Sequence, residues 1–401
     1  MHALEGVTVV DFGQYLAGPF GPMILADLGA NVIKVEPLTG DGMRNVSSPF
    51  CGCQRGKRAI SIDLKNPRGK ELALELVAKA DLVHHNMTKG VADRLGIGYD
   101  DCTRVKPDIV YCNTYAYGRE GPQSHFGGLD PLYQAVCGLE YEAGPVEGGN
   151  PPLYLRFGMT DTANAMLSVV ASLVALYHQR TTGEGQALWT SLLDGAAMLS
   201  SDAQLVDGVA VERPKLDADQ TGIDACYRLY RTQDGWLQIA AVTDAQFAAL
   251  CTALGQAELC EDTRFANAAS RREHRQQLEA LFAPVFASRT TIVWSGVLDD
   301  AGVPNEIPID TLGGKTQFFD ADNERLGLVA SYEHPKLGPM RQFGSFIDFS
   351  DTPGEIRGPA PQAGEHTREI LGWLGYDDAQ IQALRDDGVV YWPDENYSWA
   401  V

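Results

Sequence analysis

The sequence predicts an α/β protein with a parallel, doubly wound main sheet and a second, smaller domain. Strand and helix patterns alternate along residues 1–115, the order in which helices cover both faces of a parallel sheet. The length of 401 residues suggests about two domains, at roughly 150 residues each. A hairpin pattern followed by helices in the middle of the chain is typical of a small α+β domain.

The first strands and helices follow a β-α-β order. A β-rich run begins at Val7, Gly18-Pro19 opens a helical stretch that ends at Gly29, and a second strand covers residues 31–36. The remaining elements of this region are a helix over 67–80 and strands over 59–63, 82–85 and 109–114. Ligands bind at the carboxyl ends of parallel strands. The candidate site loops are therefore residues 14–19, 36–44, 86–89 and 115–122.

In the rest of the chain, the residue composition and the predicted elements change twice. Helices are predicted over 162–179 and 192–206, before a polar stretch at 207–221. A new unit begins near Cys226, where two strand patterns flank the hairpin signal Gln233-Asp234-Gly235. The helices predicted after it cover 245–254, 270–287 and 292–301. From residue 327 the chain is strand-like and rich in Gly and Pro, and it ends with helices over 364–374 and 377–387.

The composition argues against several classes of ligand and predicts where in the cell the protein is located. The net charge of −21 opposes nonspecific binding to nucleic acid or to anionic membranes. No apolar run approaches the ~20 residues that span a bilayer and no signal-peptide pattern is present, so we expect a cytoplasmic protein with no membrane partner. The eight cysteines are scattered, with one close pair, which favours neither disulfides nor a metal site.

In so acidic a chain, an anionic ligand needs a local basic surface. Six cationic residues fall within a short span: Arg55, Lys57, Arg58, Lys65, Arg68 and Lys70. They either bind an anion or form a solvated, salt-bridged surface, and the sequence leaves both interpretations open.

A dinucleotide-dependent dehydrogenase is the first alternative to test. Its fingerprint Gly-x-Gly-x-x-Gly follows the first strand, with an acid at the end of the second. Here the loop reads Gly13-Gln14-Tyr15-Leu16-Ala17-Gly18-Pro19, which lacks the middle glycine and has proline where the helix begins. Glu36 fits the acid, but one matching feature is weak support. Nicotinamide and flavin cofactors are therefore not expected.

Asp161 is the most informative single residue. It follows Phe157-Gly158-Met159-Thr160 at the start of the apolar helix. A carboxylate there can cap the helix, because it accepts hydrogen bonds from the first free N–H groups and suits the positive end of the helix dipole. It can also serve as a nucleophile in covalent catalysis. The two roles are compatible, since a helix start would keep the carboxylate ionised and aimed.

Motifs spread along nearly the whole chain point to one family. They are Val10-Asp11-Phe12 with Leu16-Ala17-Gly18-Pro19, the run from Leu25 to Glu36, Gly56 to Ile60, Ala92-Asp93-Arg94-Leu95-Gly96, residues 180–186, His334-Pro335 and Gly364-Glu365-His366-Thr367. With these motifs in this order, the chain resembles the family III CoA-transferases. That group includes formyl-CoA transferase, carnitine CoA-transferases and the related α-methylacyl-CoA racemases.

The resemblance implies an architecture. It consists of a Rossmann-like large domain built from both chain ends, a small α+β domain, and an interlocked homodimer with the active site at the interface. We therefore expect residues 1–207 to form the first segment of the large domain and residues 208–225 a linker. Residues 226–326 would form the small domain, and residues 327–401 a linker and a C-terminal segment that returns to the large domain.

The resemblance also implies the reaction and its site. Asp161 falls on the family's catalytic aspartate, which would relay CoA between carboxylic acids through covalent anhydride and thioester intermediates. CoA and acyl-CoA are then substrates, and no permanently bound cofactor is expected. Residues that match the CoA-binding segments are Gln14, Leu16, Ala17, Asn86, Met87 and Arg94, with Tyr133 in the acyl pocket. Formyl-CoA transferase has a phosphate-binding arginine where this chain has Pro37-Leu38, and Arg44 is the expected substitute.

Two other functions remain as alternatives. The racemase branch needs a histidine in Gly-His-Asp as a second acid/base, but the matching segment here is Gly128-Leu129-Asp130, which favours transfer over racemisation. The region 221–225 has one glycine where formyl-CoA transferases carry a glycine-rich loop, which does not favour oxalate as acceptor. A catalytically silent CoA-binding paralogue is the third interpretation. The sequence leaves the identity of the two acids open.

Overall fold

A computed structural model describes residues 2–143, 152–211, 213–217, 219–309 and 315–394. The chain divides into two compact units. The large unit comprises Met1–Cys137, Leu155–Asp202 and Lys315–Val401, and the small unit comprises Gly138–Tyr154 and Ala203–Gly314. The large unit therefore contains both chain ends. Its boundaries differ from the expected ones chiefly at two places. Gly138–Tyr154 belongs to the small unit, although the sequence suggested an unbroken first segment over 1–207, and the small unit ends at Gly314, where the sequence suggested 326.

The strands run in chain order as β1 (Thr8–Asp11), β2 (Asn31–Glu36), β3 (Arg58–Ile62), β4 (Leu82–His85), β5 (Val110–Tyr115), β6 (Ala187–Ser191), β7 (Leu205–Val206), β8 (Val209–Ala210), β9 (Gly222–Asp224), β10 (Tyr227–Arg231), β11 (Trp236–Ala240), β12 (Asn305–Glu306), β13 (Val329–His334), β14 (Gly338–Phe343) and β15 (Val390–Tyr391).

The α-helices are α1 (Phe20–Asp27), α2 (Ser47–Gln54), α3 (Pro67–Ala78), α4 (Val91–Leu95), α5 (Tyr99–Val105), α6 (Asp130–Val136), α7 (Leu139–Ala143), α8 (Met159–Thr182), α9 (Leu192–Leu199), α10 (Asp244–Ala253), α11 (Ala268–Glu273), α12 (Arg275–Phe286), α13 (Thr291–Asp300), α14 (Lys315–Phe319), α15 (Ala321–Arg325), α16 (Thr367–Leu374) and α17 (Asp378–Asp386). Short 3₁₀ helices cover Gly42–Asn45, Ala257–Cys260 and Thr263–Phe265.

The large unit is built on a seven-stranded sheet in the order β15-β3-β2-β1-β4-β5-β6. Six of the strands are parallel, and β15 near the C-terminus pairs antiparallel with β3 at the edge. The predicted α/β class with a parallel central sheet is thus confirmed. The strand order reverses between β1 and β4. In such sheets the crevice outside the strand ends at this switch point is the usual place for a ligand.

The core of the large unit lies on both faces of this sheet. Strand residues such as Val9 and Val10 are fully buried, one in each of two hydrophobic clusters. Their neighbouring position in the strand explains this, since successive side chains point to opposite faces. Strands covered on both sides carry short apolar runs, such as Val9-Val10 in β1 and Val32-Ile33 in β2, and polar residues beside these runs are buried as well.

The small unit is an α+β structure with its own core. Its sheet has the order β12-β11-β10-β9, with antiparallel pairing throughout. Asp234 lies in the predicted hairpin turn, where its Oδ1 accepts hydrogen bonds from the backbone N–H and hydroxyl of Thr291 at 2.7 and 2.8 Å. These bonds tie the turn to the start of α13. Phe282, Phe286 and Trp294 fill the core beside the sheet.

Two predicted helices are wrong in part. The helix over 192–206 ends at Leu199 as α9, and β7 and β8 follow as a hairpin. Asp207 and Gly208 have φ angles of 52° and 79°, which form the left-handed turn that a two-residue hairpin needs. The helix over 270–287 is broken at His274 into α11 and α12. Strand β6 was not predicted, because its run follows directly on the polar end of α8.

Helix α8 is the long central helix of the large unit. Its 24 residues make it the one helix of the described ranges that is long and apolar enough to cross a membrane, contrary to the expectation that no such run exists. Half of its most apolar window is buried, a property it shares with core helices of globular proteins. Gly195 allows α9 to pack closely on it, because a Cβ there would stand 2.8 Å from the backbone of Thr160 and Asn164.

The eight cysteines all lie in described ranges and are free thiols. Six of them are buried. Burial raises the pKa of Cys53 to about 12, so this thiol is held neutral. Among the described residues, no group of three or more His, Cys, Asp or Glu side chains could hold a metal ion.

Candidate active site

A cavity of about 380 Å³ lies at the switch point of the large unit's sheet. Three of its walls are the loops that follow β1, β4 and β5, and the fourth is formed by the segment before α6 and the starts of α8 and α9. The described residues that line it are Gln14, Tyr15, Ala17, Asn86, Met87, Thr88, Val91, Leu95, Thr114, Tyr115, Ala116, Gly127, Gly128, Leu129, Asp161 and Leu192. Asp161 is the one charged side chain in this lining.

Two buried lysines hold the loop after β1. Lys34 Nζ donates to the carbonyl of Gly13 at 2.8 Å, and Lys57 Nζ donates to the carbonyl of Pro19 at 2.7 Å. Lys57 also pairs with Asp11 at 2.8 Å. Burial alone would raise the pKa of Asp11, but the charges of Lys57 and Lys34 lower it below the ordinary value, so Asp11 stays ionised. The loop is therefore fixed at both ends by paired buried charges, which suits a preformed ligand site.

The loops after β1 and β4 are joined directly. The Gln14 N–H donates to Asn86 Oδ1 at 2.9 Å, and Asn86 Nδ2 donates to the Gln14 carbonyl at 2.8 Å. Gly18 makes room for this contact, because a Cβ there would stand 2.6 Å from Asn86 Cγ. Gln14, Ala17, Asn86 and Met87, all predicted as CoA-binding residues, thus border one cavity together with Asp161.

Asp161 stands in the first turn of α8 with its carboxylate at the cavity. The interpretation of Asp161 as the helix cap is wrong in detail, because α8 starts after Gly158 and the first N–H groups bond elsewhere. The backbone N–H groups of Thr160 and Asp161 donate to Oδ2 of Asp130 at 2.7 and 2.9 Å. Among the described residues, no donor forms a hydrogen bond with the Asp161 carboxylate. Burial, followed by the charge of Asp130, raises the pKa of Asp161 to about 7.

Tyr133 lies under the cavity wall and not in it. Its side chain is fully buried, and its ring centroid is 4.9 Å from that of Tyr117. The Tyr133 hydroxyl occupies the space that a Cβ on Gly128 would need. Burial raises the pKa of Tyr133 well above its ordinary value. In this structure Tyr133 supports the Gly127–Gly128 wall, and the expected direct contact with an acyl group stays a prediction.

The other predicted site residues lie at different distances from the cavity. Leu16 packs beside Gly158, since a Cβ on that glycine would stand 2.8 Å from Leu16 Cδ2. Arg94 is exposed on α4, whose Val91 and Leu95 line the cavity, and it makes no ion pair within the described ranges. Arg44 instead pairs with Glu36 at 2.5 Å and donates to the carbonyl of Pro361. A phosphate contact by Arg44 stays a prediction, and it would compete with Glu36.

The predicted basic cluster does not form one free surface. Four of its six members pair with carboxylates: Arg55 with Asp27, Lys57 with Asp11, Arg58 with Glu369, and Arg68 with Glu71 and Glu75. Arg55 and Lys57 are also buried. Arg58 and Arg68 are paired and partly exposed, as the salt-bridged interpretation predicts, whereas Arg55 and Lys57 form buried ion pairs that are closed to an external anion. Burial of an arginine or lysine cannot be read from local spacing.

Sequence reasoning missed the role of Asp130 and Gln134. Asp130 is 7% exposed and also accepts a hydrogen bond from the Thr160 hydroxyl at 2.7 Å, while Gln134 Nε2 donates to Asp130 Oδ1 and to the carbonyl of Phe157. A signal was present in the sequence: Asp130-Pro131 is a polar residue followed by proline, the pattern of a helix start. Its partner in α8 lies 31 residues away and could not be inferred.

The comparison with known families decides the class of the protein. The sequence profile of CoA-transferase family III matches residues 4–367. The chain belongs to this family.

Relatives of the family agree over nearly the full length. The chain is 32% identical to "Succinyl-CoA:glutarate CoA-transferase" of Mus musculus, over 97% of this chain and 91% of the relative. It is 30% identical to "Succinyl-CoA--D-citramalate CoA-transferase" of Chloroflexus aurantiacus, over 95% and 97%. A "CAIB/BAIF family protein" from Brucella suis has a similar structure, with a TM-score of 0.78, 30% identity, and 93% and 99% coverage. The protein is therefore a CoA-transferase that uses CoA thioesters.

Within this family, Leu129 bears on the choice between a transferase and a racemase. This residue lines the cavity with Asp161 at the place where the racemase branch would carry histidine. His125 is exposed and packs on Phe126 with ring centroids 4.2 Å apart, and it is not part of the described lining. The remaining titratable lining groups are the phenols of Tyr15 and Tyr115. The described cavity thus carries a single carboxylate and no histidine, which suits acyl transfer better than exchange of an α-proton.

Proposed function

We propose that this CoA-transferase moves CoA from an acyl-CoA donor to a free carboxylate through covalent derivatives of Asp161. The observation that carries the proposal is the position of that carboxylate. It is the one acid in the described lining of the cavity at the switch point, and no described side chain or backbone donor engages it. A carboxylate without protein partners can approach a substrate carbonyl, as covalent catalysis requires.

The first half of the reaction loads CoA onto the enzyme. An oxygen of ionised Asp161 attacks the thioester carbonyl of the donor, and the carbon–sulfur bond breaks to release CoA thiolate. The product is a mixed anhydride between Asp161 and the donor acid. The thiolate then attacks the Asp161 carbonyl carbon and expels the donor carboxylate. The enzyme now carries an aspartyl-CoA thioester, so the energy of the thioester has been kept.

The second half reverses these steps with the acceptor. The acceptor carboxylate attacks the aspartyl thioester and expels CoA thiolate, which forms a second anhydride. The thiolate attacks the acceptor's carbonyl carbon, which yields the new acyl-CoA and restores ionised Asp161. Each attack creates an oxyanion that needs N–H donors. We assign this role to backbone N–H groups of the glycine-containing wall at Gly127 and Gly128, which borders the same cavity.

The raised pKa of Asp161 fits its role as the attacking nucleophile. At about 7, the carboxylate is substantially ionised at neutral pH and more basic than an ordinary aspartate. Greater basicity accompanies greater nucleophilicity within one class of nucleophile. We expect transfer to rise with pH through this region, because the protonated form cannot attack.

Apart from Asp161, the lining is uncharged, which suits the pantetheine part of CoA. Amide, hydroxyl and apolar side chains from the loops after β1, β4 and β5 surround the cavity. The phosphates then require cations outside it. Arg94 supports this arrangement, since it is exposed and lies on the helix whose Val91 and Leu95 face the cavity.

We also propose that the protein forms the interlocked homodimer that its family resemblance implies. An exposed apolar stripe on α8 supports self-association: Met166, Val170, Val174 and Tyr177 are spaced at three or four residues, as on one helix face. Light scattering after size exclusion tests this, with a dimer mass expected and a monomer mass against it. The cytoplasmic location remains a prediction from composition.

Relatives named for succinyl-CoA indicate which donor to test first. We propose succinyl-CoA as donor, with glutarate and citramalate leading a panel of free acids. The test is ping-pong exchange followed by mass spectrometry of the acyl-CoA products, with Asp161→Asn as the matched variant. Transfer should be lost in the variant while CoA binding by calorimetry is retained. Substantial turnover in Asp161→Asn would remove Asp161 from the mechanism, and CoA binding without exchange on any acid would favour a silent paralogue.

A further inference from the structure

The start of α8 is held from outside the helix by Asp130, the first residue of α6. Asp130 is almost fully buried, and both of its oxygens are used. Oδ2 accepts from the backbone N–H of Thr160, the hydroxyl of Thr160 and the backbone N–H of Asp161, at 2.7, 2.7 and 2.9 Å. Oδ1 accepts from Gln134 Nε2. A buried carboxylate with four donors is well satisfied.

This arrangement frees the carboxylate of Asp161. An acid in the third position of a helix often bonds back to the cap residue, and free N–H groups at a helix start attract whatever acid is near. Here Asp130 already takes the N–H groups of Thr160 and Asp161. The Asp161 side chain is left facing the cavity, without a bond to its own helix.

We propose that Asp130 is a positioning residue for the transfer reaction: it fixes the first turn of α8 so that Asp161 faces the cavity, and its negative charge favours the acylated over the ionised form of Asp161. The inference rests on the proposed function, because it assumes that Asp161 is acylated. Asp130 itself does not line the cavity.

The electrostatic part follows from the charge that each step removes. Formation of the anhydride or thioester converts anionic Asp161 into a neutral acyl group. A second carboxylate bonded to Asp161's own N–H repels the anionic form and leaves the neutral form unaffected. Asp130 also offsets the helix dipole that would otherwise stabilise ionised Asp161. Both effects raise the free energy of ionised Asp161 relative to its neutral acyl derivative, and they therefore favour its attack on the thioester.

Other titratable groups around Asp161 do not supply this effect. From α6, Tyr133 is the second such group, and burial raises its pKa. The loops after β1 and β5 contribute the phenols of Tyr15 and Tyr115, and burial raises the pKa of Tyr115. Helix α9 contributes exposed Asp194, which is bonded to Ser191 at 2.7 Å, and α1 has no acid in its first turn. Asp130 is thus the one carboxylate in the described part of the chain that contacts the α8 start.

Gln134 bonds both to Asp130 and to the segment that precedes α8. Its Nε2 donates to Asp130 and, at 2.8 Å, to the carbonyl of Phe157 just before α8. Asp130 is therefore oriented by its own helix and by the segment that leads into α8. Such orientation is what distinguishes a fixed charge from a mobile surface acid, and it makes the effect on Asp161 geometrically defined.

The test compares pH profiles of kcat in Asp130→Asn and in the control Asp194→Asn. Asparagine keeps an oxygen for the N–H groups but removes the charge. Each profile should have a limb on which kcat rises with pH as Asp161 ionises. In Asp130→Asn this rising limb should move to lower pH by about one unit, because loss of a like charge lowers the pKa of Asp161. We expect kcat to fall by roughly tenfold, since acylation loses its favourable charge effect. In Asp194→Asn neither the limb nor kcat should change, and CoA affinity should stay within about threefold in both variants.

A limb that stays in place in Asp130→Asn would overturn the proposal and leave only a structural role for Asp130. If that variant does not fold, Thr160→Val serves instead. It removes one donor from Asp130 and keeps the charge, so the limb should move to higher pH, and an unmoved or lowered limb would count against the proposal. Trapping of an Asp161 adduct in the unaltered enzyme tests the proposed function separately. An adduct without the limb shift removes the role of Asp130 alone, whereas no adduct removes both.

Discussion

Gln14 and Asn86 exchange two hydrogen bonds across the switch point of the sheet, at 2.9 and 2.8 Å. One residue follows β1 and the other follows β4, the two strands between which the strand order reverses. Both bonds use the backbone of Gln14, so they fix the path of the chain and leave its side chain at the cavity. The Asn86 side chain thus holds the backbone of the loop after β1 with a donor and an acceptor, as a neighbouring strand would, and this loop borders the cavity.

Removing this link should loosen the site and lower stability. In Asn86→Ala, the N–H and carbonyl of Gln14 lose their partners, at a cost of about 1–3 kcal/mol for a buried polar group. We expect a lower free energy of unfolding in denaturant and a higher KM for acyl-CoA. Gln14→Ala is the matched control, since it keeps both backbone bonds and should cost little stability. Equal losses of stability in the two variants would contradict the role given to Asn86.

Gly128 should not tolerate a side chain. A Cβ there would overlap the Tyr133 hydroxyl and come 2.6 Å from its Cζ. Because Tyr133 is fully buried, the wall must move, and we expect Gly128→Ala to cost about 1–3 kcal/mol and to lower transfer. Gly127→Ala is the control for stability, since its Cβ would lie 3.5 Å from Thr88 Oγ1 in ordinary contact. Similar melting temperatures for the two variants would show that this packing is not limiting.

Arg94 should contribute to CoA affinity through charge. We expect Arg94→Ala to raise the KM for acyl-CoA by about tenfold, the effect of losing one charge-assisted hydrogen bond. The difference from the unaltered enzyme should shrink in high salt, because exposed charges are screened. Arg104→Ala is the control, since Arg104 is also exposed but pairs with Asp101. If both variants raise KM alike, the effect is one of net charge and Arg94 has no particular role.

The buried carboxylate of Asp161 should lower the free energy of unfolding at neutral pH. Its pKa is about 7 in the folded protein against 3.8 as the ordinary value, so the folded state holds the proton more tightly than the unfolded state. Stability is then unaffected below about pH 4, falls as the pH rises toward 7, and stays lowered above it. At ~1.4 kcal/mol per unit, the full effect is up to ~4 kcal/mol.

We therefore expect Asp161→Asn to be more stable than the unaltered protein at pH 8, by about 1–4 kcal/mol, with the difference vanishing near pH 4. Urea unfolding at the two pH values measures it. Asp194→Asn should show no such pH-dependent gain, because that carboxylate is exposed. A variant at position 161 that is equally or less stable at pH 8 would contradict the destabilising burial of the carboxylate.

Local patterns were enough to predict β1 to β5 of the large sheet and the place of Asp161 at the start of a helix. Strands β2 and β4 have the predicted bounds, residues 31–36 and 82–85. Candidate ligand loops follow from the parallel sheet, and both Gln14 and Asn86 lie in such predicted loops. The start of α8 could be placed within a few residues from Gly158 and the apolar repeat behind it.

What the sequence could not predict depends on tertiary contacts. Asp130 reaches α8 only because α6 packs against it, and no local rule links residues so far apart. The cations Arg55 and Lys57 have the spacing of a surface cluster, yet the fold buries them against Asp27 and Asp11. The hairpin at Asp207-Gly208 is a different case, because its turn signal was in the sequence and was overridden by the apolar pattern around it.

The most direct test of the account is chemical trapping of the covalent enzyme. The protein is incubated with succinyl-CoA, treated with hydroxylamine, digested and analysed by mass spectrometry. An aspartyl thioester or anhydride reacts to give a hydroxamate at Asp161, and this modification should depend on the donor and be absent in Asp161→Asn. If the enzyme exchanges CoA between acids while Asp161 stays unmodified under the same conditions, the covalent relay through this residue is contradicted.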